Sequence, residues 1–335
     1  MGAVTTNFMR QQLVDRRERI GRAVGQTEHP ARLHELLAEV DDALARIDEG
    51  SFGICEECHE PIEEDRLICD PLIRFCLGHL TIEERDALER DLELAARVQQ
   101  GLLPRQNLRL DVWHVCYHYE PASVVSGDYC DVIDAGPAGV YFMAGDVSGK
   151  GVAASMLMAH LHAMFRALIS VQLPLQKMIQ HASRVFKEST LPSQYATLVC
   201  GRAMPDGMVE LCNAGHPAPL VVRNGTITPL EVSDLPFGLF ADEEFSVTQV
   251  SLARGDGIVI YSDGVSEATD ASGSEYSWRR LARVISDQER IDAPALIGAC
   301  RDDLAAFRAG ARAHDDVTLF ILGRDARAGG DRSMN

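Results

Sequence analysis

The sequence is poor in positive charge. Its 335 residues include 32 Lys and Arg against 50 Asp and Glu, which gives a formal net charge of -18 at pH 7. This balance opposes non-specific attraction to nucleic acid and to anionic membrane surfaces. We therefore expect neither nucleic acid nor membrane among the partners.

The sequence also lacks the basic and then apolar start of a signal peptide, and no apolar run approaches the length of a membrane span. Hydrophobic residues nevertheless make up 46% of the chain, which is enough for a substantial core. We expect a cytoplasmic protein with one large domain or two unequal ones.

The glycine-rich stretch "GDVSGKG" at residues 145–151 lacks the pattern of a nucleotide-binding P-loop. Only three residues separate Gly145 from Gly149, and Gly151 stands where a P-loop has its Ser or Thr. Phosphate binding of the P-loop type is therefore excluded. What remains is Asp146, at the end of the apolar run "VYFMAGDV", where a carboxylate is typical of a metal ligand or of a turn.

Disulfide bonds are not expected either, because nothing in the sequence indicates secretion. Five of the nine cysteines lie scattered in apolar or mixed stretches and are predicted to be buried thiols: Cys116, Cys130, Cys200, Cys212 and Cys300. The other four are clustered, and the cluster is the first sign of a binding site.

A metal-ligand spacing occurs in "FGICEECHEPIEEDRLICDPLIRFCLGHL". Cys55 and Cys58 form a C-x2-C pair, and Cys76 with His79 forms a C-x2-H pair after a spacer of seventeen residues. Two such turns complete a tetrahedral Zn²⁺ site, and a segment too small for its own core gains its fold from the metal. We predict one Zn²⁺ ion here. The alternative is free thiols, with His79 merely starting a helix.

Two helical patterns precede this segment. Apolar residues recur weakly between Phe8 and Val24, and more strongly at threes and fours in Leu33, Leu36, Leu37, Val40, Leu44 and Ile47. The turn "GQTEHP" separates the two patterns, which together predict a helical hairpin. The hairpin with "GSFGICEECHEPIEEDRL" and "FCLGH" resembles the DksA/TraR zinc-finger family over about residues 5–80.

The sequence departs from that family at three positions. His59 follows the second cysteine where glycine is usual, Cys69 replaces a small residue, and His79 replaces the last cysteine. Cys69 and His59 are therefore rival zinc ligands. In the family the hairpin enters the secondary channel of RNA polymerase with acidic residues at its tip, whereas this turn offers only Glu28. A sensing or docking role for residues 1–80 thus stands beside polymerase binding.

A helical connector is predicted at residues 81–106. "TIEERDALERDLELAARVQQGLL" is rich in helix formers, and Pro104 stops it. Gln99 interrupts a near-heptad spacing of Leu88, Leu92, Ala95 and Leu102. A plain amphipathic helix and a homodimer seam both fit so few turns of pattern.

A larger domain is predicted at residues 107–324. Its strand-like runs are "VYFMAGDV", "YATLVCGRAM", "MVELCNAG", "PLVVRNGTITPL", "FSVTQVSL", "GIVIYSDGV" and "DVTLFILG", with hairpin turns at Asp206-Gly207 and Asn224-Gly225. Helices are predicted at about 151–170, 174–189, 276–288 and 292–308. Hairpin-rich sheet with paired helices indicates the α+β class. The polar residues 325–335 are predicted to be disordered.

Three further aspartates have surroundings like those of Asp146. Asp128 in "VVSGDYCD", Asp263 in "IVIYSDGVSEA" and Asp315 in "HDDVTLF" each lie where an apolar run begins or ends. If they meet, four carboxylates without His or Cys suit two Mg²⁺ or Mn²⁺ ions, a pair that hydrolyses phosphate esters. Most nearby aspartates are interpreted as turn or surface residues: Asp131, Asp134, Asp256 and Asp316.

Residues from about Leu88 to Leu322 resemble the SpoIIE-type branch of the PPM metal-dependent serine/threonine phosphatases. The matching stretches follow the family's order: "LAARVQQGLLP", "VSGDYCD", "GDVSGKGVAASMLM", "QYATLVCG", "NAGHPAPL", "LPFGL", "YSDGVSEA" and "DDVTLF". The resemblance implies an αββα sandwich of two antiparallel sheets flanked by helix pairs. It also implies a protein phosphatase acting on a phosphorylated anti-sigma-factor antagonist of the STAS type.

The resemblance assigns roles to individual residues. Asp146 would bridge two Mn²⁺ or Mg²⁺ ions, with the carbonyl of Val147 on one of them. Asp128 would contact the pair as the first acidic ligand, and Asp263 with Asp315 would hold the second ion. No covalent phospho-enzyme is implied.

Three positions near the aspartates carry a second interpretation. Ser148 stands where eukaryotic members have a histidine thought to act as general acid, and His216 in "NAGHPAP" is a candidate substitute. We prefer a conformationally fixed turn for His216, because Gly215 and Pro217 restrict the backbone. Lys150 is interpreted as a solvated residue at a helix start instead of a phosphate ligand.

In this branch the helix after the metal loop belongs to a switch that controls metal occupancy. The connector would therefore let the N-terminal module gate the phosphatase. The alternative function is a regulatory binding protein that docks through the zinc module, for example on RNA polymerase, with the phosphatase fold as a scaffold of little activity.

Overall fold

The computed structural model describes residues 3–24, 31–79, 82–191, 194–231, 234–240, 244–288, 291–309 and 315–325. The chain divides into two compact units, Met1–Asp91 and Leu92–Asn335, called here the N-terminal and C-terminal units. Of the tail predicted to be disordered, only Asp325 lies within the described residues. Its N–H donates to the carbonyl of Val112 at 2.8 Å.

The N-terminal unit contains a helical hairpin followed by the cysteine-rich segment. Its helices are α1 (Ala3–Val24), α2 (Ala31–Glu49) and the short α3 (Glu64–Cys69). Apolar side chains of all three helices and of the segment share one core, whose fully buried members are Met9, Leu13, Val40, Ala43, Cys55 and Leu67. The predicted hairpin is confirmed. Its turn at residues 25–30, including Glu28, lies outside the described residues.

The connector is a single helix, α4 (Ile82–Leu102), which ends two residues before Pro104 as predicted. Leu94 and Val98 lie one turn apart on it and are more than half exposed. Gln99, the residue that interrupts the heptad spacing, is buried. Its burial has a specific cause in the C-terminal unit, described below.

Two antiparallel sheets form the centre of the C-terminal unit. The six-stranded sheet has the order β1 (Asn107–Leu110), β2 (Trp113–Glu120), β11 (Val317–Arg324), β10 (Gly257–Tyr261), β7 (Leu220–Arg223) and β8 (Thr226–Pro229). The five-stranded sheet has the order β3 (Asp128–Asp134), β4 (Val140–Val147), β5 (Ala196–Ala203), β6 (Met208–Ala214) and β9 (Thr248–Ser251). Asp206-Gly207 and Asn224-Gly225 turn the β5–β6 and β7–β8 hairpins, as predicted.

Helices cover the outer face of each sheet. α5 (Gly151–Ile169) and α6 (Leu175–Ser189) share an apolar core with the five-stranded sheet, whereas α8 (Ser277–Ser286) and α9 (Ala293–Arg308) share one with the six-stranded sheet. α7 (Asp263–Ser266) is a single turn. A third core lies between the sheets and includes Trp113, Phe142 and Phe320. The expected α+β fold, an αββα sandwich, is confirmed, and the five scattered cysteines are buried as predicted.

Within the described ranges, α5 is long and apolar enough to cross a membrane by length and composition. This corrects the expectation that no segment approaches that length. The physical reason for its composition is packing, because Met158, Leu161 and Phe165 of α5 are buried in the core that it forms with the five-stranded sheet.

Candidate metal centre

Asp128 and Asp146 lie opposite each other on neighbouring strands. The antiparallel pairing of β3 with β4 makes them register partners, Asp128 as the first residue of β3 and Asp146 as the last but one of β4. Opposite residues of an antiparallel pair point to the same face of the sheet. The two carboxylates therefore share one face at the end of the five-stranded sheet.

Asp263 and Asp315 come from the six-stranded sheet. One residue separates Asp263 from the end of β10, and one residue separates Asp315 from the start of β11. Ser262 and Thr318 hold these two ends together: the Ser262 N–H donates to the Thr318 carbonyl at 3.0 Å, and the Thr318 N–H donates to Ser262 Oγ at 2.9 Å. The strand pairing thus brings the second pair of aspartates close to each other.

One hydrogen bond joins the two pairs. Thr318 Oγ1 donates to Asp128 Oδ2 at 2.5 Å, although the two residues belong to different sheets. The ends of β3 and β11 therefore meet at the same edge of the sandwich. The structure gathers all four predicted aspartates at this edge.

Burial and the neighbouring charges raise the pKa values of Asp128, Asp146 and Asp263. Burial, and next the neighbouring Asp146, holds the pKa of Asp128 well above its usual range. Burial, followed by Asp263 and Asp315, raises the pKa of Asp146 to about 7. Burial and then Asp315 raise the pKa of Asp263 as well. Poorly hydrated like charges at such proximity favour a bound cation, which would neutralise them.

A backbone carbonyl, that of Val147, lies beside the carboxylates. A Cβ atom at Gly127 would lie 3.0 Å from both Asp146 Oδ1 and the carbonyl oxygen of Val147. The two oxygens therefore approach one point, beside a residue without a side chain to obstruct it. Carboxylate and carbonyl oxygens are hard donors that suit Mg²⁺ and Mn²⁺. By donor type, these residues suit the predicted divalent ions.

The loop between β4 and α5 is tied down by its own residues. The Ser148 N–H donates to the Tyr195 carbonyl, and the Tyr195 N–H donates to Ser148 Oγ, both at 2.9 Å. Lys150 Nζ lies 3.2 Å from Asp315 Oδ2, and both side chains are at least half exposed. The charge of Lys150 partly offsets the rise in the pKa of Asp263. Lys150 is thus an exposed residue at the helix start that pairs with Asp315.

His216 is part of a fixed turn. Its N–H donates to Asn213 Oδ1 and its carbonyl accepts from Asn213 Nδ2, both at 2.9 Å. Burial lowers the pKa of the imidazole to about 4, so the ring is neutral at pH 7, and its Nδ1 lies 2.9 Å from Thr197 Oγ1. A buried neutral ring with these partners supports a structural role over that of a general acid.

Sequence reasoning missed two residues that hold the loop before β3. Asp316, interpreted as a turn or surface residue, accepts from the N–H groups of Ala122 at 2.7 Å and Gly127 at 3.0 Å. Gln99 exchanges two hydrogen bonds with the backbone of Ser126: its Nε2 donates to the carbonyl at 2.6 Å, and its Oε1 accepts from the N–H at 3.1 Å. The only sequence signal for Gln99 was its interruption of an apolar spacing.

Of the remaining nearby aspartates, Asp134 and Asp256 bond to turn N–H groups, at Gly136 and Ala253 respectively. Asp131 does not fit the turn or surface interpretation. It is fully buried and receives two hydrogen bonds from Arg166, at 2.9 and 2.8 Å. Its partner lies thirty-five residues away in sequence, so no local pattern announces the pair.

The four predicted zinc ligands lie together in the N-terminal unit. The Sγ atoms of Cys55, Cys58 and Cys76 and a ring nitrogen of His79 are all within 4.8 Å of one another. Cys76 Sγ lies 3.2 Å from His79 Nδ1 and 3.7 Å from Cys58 Sγ. Ligands of a tetrahedral zinc ion are about 3.3–3.8 Å apart. These residues fit Zn²⁺.

The rival zinc ligands differ in their placement. His59 is exposed, lies outside the cluster and adopts a φ of +59°, the conformation that glycine usually provides. The side chain of Cys69 lies outside the described part of the chain.

Burial raises the pKa of Cys55, but the N–H groups of Cys58 and Cys76 outweigh this effect and lower the pKa to about 6, which favours the thiolate that zinc requires.

Two family models match the chain. Residues 136–325 match "Stage II sporulation protein E (SpoIIE)", which is more than half of the chain. The chain belongs to the SpoIIE family. Residues 50–78 match "Prokaryotic dksA/traR C4-type zinc finger", a match that ends one residue before His79.

Known relatives of this SpoIIE-family chain include two phosphoserine phosphatases of Bacillus subtilis (strain 168). RsbU is 26% identical over 286 residues, which cover 81% of this chain and 84% of RsbU. RsbP is 26% identical over 189 residues, 54% of this chain and 46% of RsbP. The SiaA-PP2C domain of Pseudomonas aeruginosa has a similar fold, with a TM-score of 0.62 at 17% identity over 72% of this chain and 98% of that domain. The chain is thus a PP2C-fold protein serine/threonine phosphatase.

Proposed function

We propose that this phosphatase hydrolyses phosphoserine and phosphothreonine in proteins with the help of two Mn²⁺ or Mg²⁺ ions. The carboxylates of Asp128, Asp146, Asp263 and Asp315, with the carbonyl of Val147, would hold the ions. When bound, such ions polarise the phosphoryl group and activate a water. The main support is the meeting of these oxygens from two sheets, where burial and neighbouring charges raise the pKa values of Asp128, Asp146 and Asp263.

The test is phosphate release from a panel of phosphoserine and phosphothreonine peptides, with manganese or with a chelator. We expect release to require manganese and to fall by at least about 100-fold in Asp146→Asn and Asp263→Asn, because each removes a charged metal ligand. Asp134→Asn is the matched control, since its carboxylate bonds only to the N–H of Gly136 among the described contacts. Release without metal, or unchanged release in both variants, would contradict the proposal.

We propose a phosphorylated STAS-type anti-sigma-factor antagonist, in a partner-switching pathway, as the substrate. Apolar side chains beside the metal loop support a folded protein over a small ester. Val152 and Met156 in the first turns of α5 are 38% and 68% exposed, and Tyr195, which pairs with Ser148, is 36% exposed. A protein surface would cover such side chains, whereas a small ester would not.

The substrate proposal is tested by comparing kcat/KM for a folded phosphorylated STAS protein with that for a peptide of the same phosphosite. We expect the folded protein to be preferred by about 100-fold or more, and Met156→Gln to reduce only that preference. Val171→Gln, at an exposed position beyond the other end of α5, is the control. Equal use of peptide and protein would overturn the STAS proposal and leave the phosphatase proposal intact.

We also propose that the N-terminal unit gates the phosphatase through α4. Gln99 on α4 holds Ser126 by two hydrogen bonds, and Ser126 Oγ accepts from the N–H of Asp128 at 3.0 Å. A shift of α4 would therefore move the loop that precedes Asp128. Asp316, immediately before β11 and next to Asp315, holds the same loop.

Gating predicts that activity depends on the helical phase of α4. Fusing the connector to a dimeric coiled coil in successive one-residue phases should give activity that repeats about every 3.6 residues. Gln99→Leu should alter activity, whereas Gln100→Leu at an exposed neighbouring position should not. Equal activity in every phase would refute gating.

A homodimer through the connector is part of the proposal. Leu94 and Val98 are 53% and 57% exposed on adjacent turns of α4 and would form the seam. They are not among the residues of the predicted near-heptad spacing, of which Leu102 packs against the core of the C-terminal unit. Replacing both Leu94 and Val98 by Gln should convert a dimer to a monomer in light scattering; a monomeric wild-type chain would contradict the seam.

A cytoplasmic location belongs to the same proposal, because the proposed substrate acts in transcriptional control.

A structural or sensory Zn²⁺ ion at Cys55, Cys58, Cys76 and His79 completes the proposal. An alternative function is docking through this module, with the phosphatase fold as a scaffold. The observations that support it are the complete ligand cluster and the zinc-finger match. It predicts partner capture without phosphate release. The complete set of aspartates supports the phosphatase.

A further inference from the structure

Thr318 is a buried polar residue in an otherwise apolar part of β11. It is the second residue of the strand and is only 3% exposed. Phe320 and Leu322 belong to the core between the two sheets, whereas the alternate residues of β11 belong to the core shared with α8 and α9: Leu319 and Ile321. Because side chains alternate along a strand, Thr318 points towards the five-stranded sheet. A buried hydroxyl is costly without a hydrogen-bond partner.

The partner of the Thr318 hydroxyl is the carboxylate of Asp128. Thr318 Oγ1 donates to Asp128 Oδ2 at 2.5 Å, and Asp128 is only 1% exposed. Within the described ranges, this is the one hydrogen bond that the Asp128 carboxylate accepts. A hydrogen bond to an ionised carboxylate is short and strong, more so away from water. It engages Oδ2 and leaves Oδ1 for a cation.

The backbone of Thr318 fixes the position of its hydroxyl. β11 lies between β2 and β10 in the six-stranded sheet. The Thr318 N–H donates to Ser262 Oγ at 2.9 Å, and the Thr318 carbonyl accepts from the Ser262 N–H at 3.0 Å. Ser262 is itself only 1% exposed, and its Oγ donates to the carbonyl of Asp316 at 3.2 Å. The donor to Asp128 is therefore held by a buried network.

The backbone of Asp128 does not by itself orient the carboxylate. The last torsion of an aspartate side chain is broad and nearly two-fold, so either oxygen can face a ligand. The Asp128 N–H donates to Ser126 Oγ at 3.0 Å, which holds the main chain only. Asp146, the register partner of Asp128 on β4, brings a like charge to the same face of the sheet. A hydrogen bond to Oδ2 opposes the rotation that this repulsion favours.

We propose that Thr318 is a positioning residue for metal binding: its hydroxyl holds Oδ2 of Asp128 and so presents Oδ1 to the divalent ions. Thr318 would act only through Asp128, without touching the substrate or an ion. The inference rests on the proposed two-metal function and adds to it a residue outside the ligand set.

Calorimetric titration of the zinc-loaded full chain with manganese tests the role of Thr318. Thr318→Val keeps the shape of the side chain but removes the donor, and we expect it to weaken manganese binding by about 10- to 100-fold. Thr318→Ser keeps the hydroxyl and should stay within about threefold of the wild type. Thr248→Val is the matched control, because this half-buried threonine lies on β9, at the opposite edge of the five-stranded sheet from β3.

A crystal structure of the manganese-loaded wild type keeps the test decisive if Thr318→Val does not fold. We expect Asp128 to bind through Oδ1, with Oδ2 still within hydrogen-bond distance of Thr318 Oγ1. The role of Thr318 is overturned if Oδ2 has turned away, if Thr318→Val binds manganese as tightly as the wild type, or if Thr318→Ser weakens binding as much as Thr318→Val. These outcomes leave the metal proposal intact, whereas a wild type that does not bind manganese would contradict both.

Discussion

The zinc-ligand cluster of the N-terminal unit and the aspartate cluster of the C-terminal unit differ in how their ligands are brought together. The zinc ligands lie within residues 55–79, in one short segment with α3 as its only α-helix. The aspartates are spread from residue 128 to residue 315 and come from the ends of strands in two sheets.

The difference indicates that Zn²⁺ would contribute to the folding of its segment, whereas the ions at the aspartates would bind to a unit that is already folded. The segment around Cys55 is too short to form a core of its own and shares one with the hairpin, so the metal would supply much of its stability. The aspartates stand on three packed cores that exist without any ion. Removing Zn²⁺ should therefore unfold its segment, whereas removing the ions from the aspartates should leave the C-terminal unit folded.

The largest expected effect is the loss of the zinc site. Chelation, or Cys76→Ser, should unfold the segment at residues 51–79, because structural zinc contributes on the order of 10 kcal/mol to such folds. Hydrogen exchange measures this: amides of the segment should lose protection while those of β2, β10 and β11 keep theirs. Cys300→Ala, a buried cysteine of α9, is the control. Equal loss of protection in both units would break the comparison.

A smaller loss of stability is expected at the aspartates, and it depends on pH. The pKa of Asp146 rises from an ordinary value of 3.8 to about 7 in the fold, so its ionised form is destabilised there. The metal-free C-terminal unit should therefore lose on the order of 2–4 kcal/mol of unfolding free energy as pH rises from about 4 to 7.

Urea unfolding of the chelated chain at several pH values measures the loss, with Asp146→Asn as reference because it cannot ionise. The difference between wild type and variant should grow with pH across this window. Added manganese should reverse it by binding the ionised carboxylates. A difference that is constant with pH would show that the carboxylate is not destabilised in the fold.

The smallest expected effect follows from adding a side chain at Gly127. Gly127→Ala would place a Cβ 3.0 Å from Asp146 Oδ1 and the Val147 carbonyl oxygen, crowding the predicted ligands. We expect manganese affinity to fall by about 10- to 100-fold with little change in stability. Gly298→Ala, in α9 with no heavy atom near the added Cβ, should leave affinity unchanged. Unchanged affinity in Gly127→Ala would mean that the ion lies away from these two oxygens.

Local sequence patterns predicted much of the architecture. Apolar spacing located α2, helix-forming composition located α4, and the dipeptides Asp206-Gly207 and Asn224-Gly225 marked two hairpin turns, because helix periodicity and turn chemistry act over a few residues. Composition was less informative for α5, whose apolar residues serve packing and yet satisfy the length of a membrane span. Each aspartate lies where an apolar run begins or ends, so the sequence could name the candidate ligands. It could not show that they lie close together.

The supporting residues could not be predicted in the same way. Asp131 with Arg166, Thr318 with Asp128, and Asp316 with the loop before β3 are all contacts between distant parts of the chain. Each depends on strand order and register, which a single sequence does not state. Gln99 left a trace only as a polar residue in an apolar spacing.

The sequence by itself determined the helices, the hairpins, the α+β class and the residue types of both clusters, because these follow from periodicity, turn chemistry and ligand spacing over short distances. Only the tertiary structure decided that Asp128 faces Asp146 across β3 and β4, and that Thr318 joins the two sheets at that edge. The physical reason is that burial and mutual repulsion, which raise the carboxyl pKa values, arise only when distant strands pack together.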